Sequence, residues 1–265
     1  MRGPRALVFL GVVGVAFVAL PVAALLQRAP WSDLWSALNA PAARTALRLS
    51  LVTSVIATAV AVVVGVPLAW VLARVPFPGR SLVRAVVTLP VVLPPVVGGV
   101  ALLLAFGRRG LAGQWLDEWF GLTLPFTTAG AVVAQAFVAL PFLVLAVEAG
   151  FRAGDPRLDD AAATLGAGPW YTFRRVTLPL AAPAVAAGAV LAWARALGEF
   201  GATITFAGNM RGETQTLPLA VFLALEVDPA SAVAMSVVLL AVSLVVLVGL
   251  RDRWLPGSSR PERPA

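Results

Sequence analysis

The chain has 265 residues, 60% of them apolar and only 12% charged, with a formal net charge of +7. A soluble domain typically carries about 25% charged residues, so this composition excludes an ordinary soluble fold and indicates a membrane protein. Cys and His are both absent, which removes disulfides, thiol nucleophiles and the two commonest transition-metal ligands.

Six apolar runs are long enough to cross, as helices, a hydrocarbon slab roughly 30 Å thick. The first, 6–26, follows a short basic lead of Arg2 and Arg5. It is longer than the roughly 7–15 residues of a signal-peptide core and lacks a small-x-small cleavage site, so it reads as a retained anchor. The second run, 49–73, contains Pro67. The third, 85–106, is crowded by Pro90, Pro94, Pro95, Gly98 and Gly99. A short outer helix over 114–121 would bring Trp115, Trp119 and Phe120 to the membrane interface. The fourth run, 129–149, contains Pro141, and the fifth, 180–206, carries Arg195 and Glu199. The apolar stretch 217–225 is too short to span and reads as a surface or re-entrant helix; the sixth run covers 232–250. The expected fold is an all-α membrane protein of six transmembrane helices in one domain, 1–255. A Pro-, Arg- and Ser-rich tail, 256–265, is expected to be disordered.

Orientation follows from the arginines. With the N-terminus inside, 13 fall in inner segments and 6 in outer ones, which favours cytoplasmic N- and C-termini. The same placement explains the basic pI without nucleic acid, since no basic helix or aromatic platform accompanies the charge.

Prolines inside a span remove a backbone bond and bend or break the helix. A carbonyl freed in lipid must find a partner or line a wet cavity. The stretch Leu89-Pro90-Val91-Val92-Leu93-Pro94-Pro95 is therefore either an ordinary packing kink or the lining of a pathway or gate.

The inner loop 152–179 is the most informative segment. Asp155-Pro156 has the form of a helix N-cap followed by a first-turn proline. A helix over 156–165 would place Leu158, Ala161, Ala162 and Leu165 on one face. Gly166 is a natural C-terminal stop, Gly168-Pro169 breaks the chain again, and a second short helix is expected from 170 into Leu178-Pro179. The apolar face either packs back on the chain's own bundle or enters a groove on a partner; periodicity does not choose between them.

A resemblance bears on that choice. Asp160-Ala161-Ala162, then three residues, Gly166, nine residues and Val176-Thr177-Leu178-Pro179 resemble the motif E-A-A-x3-G-x9-I-x-L-P. That motif belongs to permease subunits of binding-protein-dependent ABC importers. Asp160 stands where the family has Glu, and Val176 where it has Ile. The resemblance implies a type I importer permease, with this loop as the coupling helix docked on a cytoplasmic ATPase subunit. Asp160, Ala161, Ala162, Gly166, Val176, Leu178 and Pro179 would make that coupling. All 20 basic residues are Arg, and a G-x-x-x-x-G-K-[ST] phosphate loop needs Lys, so any ATP site must lie on another chain. The family implies two ATPase subunits, a second permease copy and an extracytoplasmic binding protein, all around a bilayer-embedded, non-enzymatic subunit that holds no cofactor of its own.

Ala194-Arg195-Ala196-Leu197-Gly198-Glu199-Phe200-Gly201-Ala202-Thr203, with its continuation from Phe206 to Pro218, is similar to the fifth-span signature of molybdate and tungstate permeases. Sulfate and thiosulfate permeases share much of that pattern. Arg195 and Glu199 lie four apart on one helix face, where pairing lowers the cost of burying both charges. The pair reads first as a lock between spans, because a tight static cation would trap an oxyanion instead of passing it on. Weaker contacts from Gly201, the hydroxyls of Thr203 and Thr205, and backbone N–H groups near Pro94 and Pro95 suit conduction better. Pathway or gate candidates are thus Pro90, Pro94, Pro95, Arg195, Glu199, Gly201 and Thr203. A secondary carrier, the reading from another class, would typically show internal repeats and acidic groups at the midplane; no repeat is evident, and Glu148 and Glu199 are the only acidic residues near spans, Glu148 at an expected cytoplasmic edge.

Overall fold

The computed structural model describes residues 5–249, and over them the secondary structure is entirely helical. Five helical runs are long and apolar enough to cross a membrane. They are α1 (Arg5–Gln27), α3 (Pro41–Arg74), α7 (Thr128–Ala153), the continuous run Pro169–Leu197, and α13 (Pro229–Gly249). Helix α2 (Leu34–Asn39) leads into α3, which starts eight residues before the expected 49 because Pro41 opens it at a position where no N–H is required.

The third expected span is not one helix. It divides into α4 (Arg80–Val92) and α5 (Pro95–Phe106). Pro94 and Pro95 together withdraw two donors, and each forces the residue before it out of the helical region. Leu93 accordingly sits at ψ 133° and Pro94 at ψ 132°. Single prolines act differently: α3 runs through Pro67, α4 through Pro90 and α7 through Pro141 without ending.

The fifth expected span also divides. Helix α10 (Leu178–Leu197) ends at Gly198, and α11 (Gly201–Phe206) restarts after Phe200. Short helices α6 (Gly113–Phe120) and α12 (Leu217–Val227) stand where the outer helix and the non-spanning segment were expected. The expected tail, 256–265, lies outside the described residues.

Helix α7 is the hub. It packs mainly against α3 and α10, and through its earlier turns against α5 and α11. Close approach is possible because the inner face of α3 is a run of small residues: Ala43, Ala46, Ser50, Thr53, Ser54, Ala57, Ala61, Gly65 and Ala69 are all buried. Small residues let backbones approach and gain dispersion contact where lipid removes the hydrophobic drive. At Gly65 even a methyl group would have to displace the buried Leu143 side chain, since its Cβ would lie 2.6 Å from Leu143 Cδ2. Leu143, Val144, Val147 and Phe151 of α7 then fill the core with Leu72 of α3 and Ala192 and Ala196 of α10. Ser50 serves a second junction: its hydroxyl accepts from the Leu217 N–H at the start of α12, at 2.6 Å.

Candidate functional site

Two arrangements gather the residues singled out in the sequence. The first is the loop between α7 and α10. It contains α8 (Arg157–Thr164), α9 (Pro169–Thr172) and a π-helical turn, Phe173–Thr177, that passes directly into α10. Asp155 caps α8 as expected, its Oδ1 accepting from the Arg157 N–H at 3.0 Å. Gly166 terminates α8 at φ +84°, where any side chain would be strained. The Ala167 N–H donates to the Ala162 carbonyl (3.0 Å) and the Gly166 N–H to the Ala163 carbonyl (2.9 Å), so the last carbonyls are satisfied as a left-handed helix stop requires.

The short helix expected from 170 into Leu178-Pro179 runs on without a break into α10. The helix continues because Pro179 falls in the first turn of α10, and the wide π turn before it absorbs the missing donor. Val176 and Leu178 are half-buried there, while Pro179 is exposed.

The loop is rooted on one side only. Arg74 Nη2, at the end of α3, donates to the Gly154 carbonyl (3.1 Å) and lies 3.9 Å from Asp159 Oδ2. The Thr177 hydroxyl donates to Asp159 Oδ1 at 2.8 Å. Beneath these, the Phe173 ring stands 5.7 Å from Trp70, 5.7 Å from Trp170 and 6.4 Å from Phe151. On the other side Leu158 is 44% exposed and Leu165 88%. Asp160 and Ala161 are exposed too, and Ala162 is half-buried. An open groove beside Leu165 is lined by Ala162, Gly166, Ala167, Gly168, Tyr171 and Val176. The apolar face therefore does not pack back on the bundle.

The second arrangement joins the two helix breaks. A Cβ on Gly201 would lie 2.7 Å from Pro95 Cβ, and one on Gly99 would lie 2.5 Å from Thr205 Cβ and 3.0 Å from the Ala202 carbonyl oxygen. Hence α5 and α11 lie side by side, with Pro95 and Gly201, the first residue of each, in contact. Glu199, 1% exposed, sits in the second break. Its Oε2 pairs with Arg195 Nη1 at 2.5 Å, while Oε1 accepts from the Ala202 N–H at 2.8 Å. The carboxylate thus ties the end of α10 to the start of α11, within the expected fifth span and not between that span and a neighbour. Thr203 is fully buried and its hydroxyl has no partner among the described residues, whereas the Thr205 hydroxyl donates to the Gly201 carbonyl. Pro90 lies one turn before the first break, on the partly exposed α4.

Residues 61–255 match the family described as "Binding-protein-dependent transport system inner membrane component". The chain belongs to that family. The molybdenum transport system permease protein ModB of Mycobacterium bovis is 46% identical over 252 residues, covering 94% of each chain. The sulfate transport system permease protein CysT of Escherichia coli is 37% identical over 235 residues, covering 87% of this chain and 84% of CysT. In fold, the permease is similar to a chain of a bacterial ABC transporter involved in the import of the acidic polysaccharide alginate, with a TM-score of 0.74 at 18% identity over 96% of both chains. It is a multi-pass membrane protein and a transport component.

Several residues of the permease escaped the sequence reading. Arg74, Asp159, Thr177 and Phe173 root the loop but come from three separated segments, and no local pattern joins them. Gln135 left a readable signal, as a lone amide in the apolar run 129–149. It is fully buried in α7, and neither its Nε2 nor its Oε1 has a partner among the described residues. A polar side chain at such a depth is a functional candidate by default.

Proposed function

We propose that this chain is the membrane-spanning permease subunit of an ATP-driven, binding-protein-dependent importer of molybdate or tungstate. It works as one of two permease copies, with two cytoplasmic ATPase subunits and an extracytoplasmic oxyanion-binding protein. The observation that carries this reading is the loop around α8. One side is bolted to α3 and α10 by Arg74, Asp159, Thr177 and the Phe173 ring cluster, and the other presents Leu158 and Leu165 uncovered. A face so built transmits force, because whatever binds the leucines also moves the roots of α3, α7 and α10. With no Lys in the chain, the force must come from a nucleotide site on the partner.

Asp160, Ala161, Ala162 and Gly166 shape the docking face, and Val176, Leu178 and Pro179 hand its motion to α10. The pathway lies along the paired breaks. Pro94 and Pro95 leave the N–H groups of Val96 and Val97 without intrahelical partners at the start of α5, and these are weak anion contacts suited to passage. Gly201 keeps α11 close to them, and the Arg195–Glu199 pair holds the break of the fifth span in register. Thr203 becomes a pathway contact only if α11 moves, since its hydroxyl is buried here.

The cargo reading rests on the ModB relative at 46% identity over 94% of the chain, against 37% over 87% for the sulfate relative. The test is ATP hydrolysis and uptake by the complex reconstituted with its ATPase and binding protein, with molybdate, tungstate and sulfate added in turn. Stimulation by molybdate or tungstate and not by sulfate is expected. Stimulation by sulfate alone overturns the cargo and keeps the permease; failure of any ATPase chain to bind overturns the permease reading itself.

A further inference from the structure

One charged cluster belongs to neither the docking face nor the paired breaks. Glu148, near the end of α7, is 4% exposed. Arg84 of α4 reaches its carboxylate as a fork: Nη2 stands 2.5 Å from Oε1, and Nε lies 3.1 Å from Oε1 and 3.3 Å from Oε2. Arg152, one turn further along α7, brings Nη2 to 2.7 Å from Oε1. A carboxylate taken this far out of water is strongly destabilising unless it is paired and fully hydrogen-bonded. The guanidinium fork provides that pairing with a fixed direction.

The fork matters because α4 has few other attachments. None of its 13 residues is buried, and among the described residues it packs against α7 alone to any extent. Among the described residues its polar ties elsewhere reduce to Arg80, which donates to the Ala73 carbonyl at 3.1 Å. At its far end the extended Leu93 and Pro94 uncouple it from α5. Glu148 stands one turn before Phe151, whose ring belongs to the cluster that roots the loop, and Gly154, whose carbonyl holds Arg74, follows. A stiff path therefore leads from the loop through Phe151 to Glu148, across to Arg84, and along α4 to the break at Leu93–Pro94. On the other side of that break, Pro95 touches Gly201.

We propose that the Arg84–Glu148 fork is the joint through which displacement of the α8 loop moves α4 against the break. Arg152 acts as a neutralising neighbour, a lesser role on the same helix. This rests on the reading of the chain as an ATP-driven permease. Arg84 and Glu148 are positioning residues: they touch no cargo and no nucleotide, and act by making α4 follow α7.

The test uses the complete transporter in lipid. The chain has no cysteine, so spin labels at Val86→Cys on α4 and Val64→Cys on α3, both exposed, report the distance between those helices. In the otherwise unaltered protein that distance changes when a trapped-nucleotide state forms. Arg84→Gln is expected to keep ATPase-subunit binding and basal hydrolysis, to abolish the distance change, and to lower cargo moved per ATP by about thirtyfold, the middle of the usual coupling range. Arg152→Gln is expected to change that ratio by less than about twofold, since Arg152 is half exposed and sits on the same helix as Glu148, where it cannot tie α4 to α7. Should Arg84→Gln not fold, Arg84→Lys keeps the charge without the fork and is expected to lose part of the coupling and of the distance change. Full coupling with a normal distance change in either Arg84 variant overturns the joint. An unaltered chain that binds no ATPase overturns instead the permease reading, through a measurement in which Arg84 plays no part.

Discussion

Truncating Leu165 separates a docking face from an ordinary surface leucine. The side chain is 88% exposed and stands at the end of α8, beside the groove lined by Ala162 and Tyr171. Burying a leucine side chain stabilises by about 1.5–3 kcal/mol, and Leu165→Ala, which keeps Cβ, forfeits about 2 kcal/mol of that. At about 1.4 kcal/mol per factor of ten, the ATPase subunit should bind roughly 30-fold more weakly. The permease alone should keep its stability within about 0.5 kcal/mol, as a surface change does. Titration of labelled ATPase subunit onto the permease in nanodiscs, with thermal unfolding of the permease run in parallel, measures both. An unchanged affinity with unchanged stability would refute the docking role of this face. A large loss of permease stability would show instead that Leu165 packs on its own bundle.

Three further outcomes follow from the geometry. Gly201→Val should cost about 1–3 kcal/mol by overpacking, because even Cβ would lie 2.7 Å from Pro95 Cβ; thermal melting of the purified permease reads it, and a neutral result would mean that α5 and α11 are not pressed together. Glu199→Ala strands Arg195 and leaves the Ala202 N–H without its acceptor. The expected loss is about 2 kcal/mol, below the roughly 3–5 for a fully buried pair, since Arg195 is 28% exposed; denaturation in mild detergent that matches the parent chain would remove the lock. At the start of α13 the Ser231 hydroxyl and N–H hold the Asp228 carboxyl below its ordinary range. Because the folded value is depressed, its contribution is present at neutral pH and is lost as pH falls through that value. The difference in melting temperature between the parent and Asp228→Ala should therefore shrink on acidification, and a pH-independent difference would exclude the cap.

What could be read from the sequence was what lies close along the chain. Asp155, Gly166 and the four-residue rhythm of Leu158, Ala161, Ala162 and Leu165 act within one or two turns, and the structure places α8 and its stop accordingly. The outward direction of that face was not readable, because it depends on Arg74 and Thr177 seizing Asp159 from the opposite side across long stretches of chain. Proline was informative by number more than by presence. One missing donor at Pro67 or Pro141 is absorbed by a packed helix, whereas Pro94 and Pro95 in sequence remove two donors and bar two residues from the helical region.

The break at Gly198 carried no proline at all. It exists because Glu199 takes the Ala202 N–H, satisfying with a side chain a donor that the helix had left open. The two breaks are mechanically related even though one was visible in the sequence and the other was not. An interruption in a bilayer is tolerable only where protein covers the freed backbone, and here each covers the other: Pro95 lies against Gly201, and Gly99 against Ala202 and Thr205. A displacement that opens one must uncover the other, so the short helices α5 and α11 are constrained to move as a pair. Along the chain α4 leads into that pair on one side and α10 on the other, beside α7, which packs against both short helices; the fork from Arg84 to Glu148 and the pair of Arg195 with Glu199 stand at two points where motion can enter.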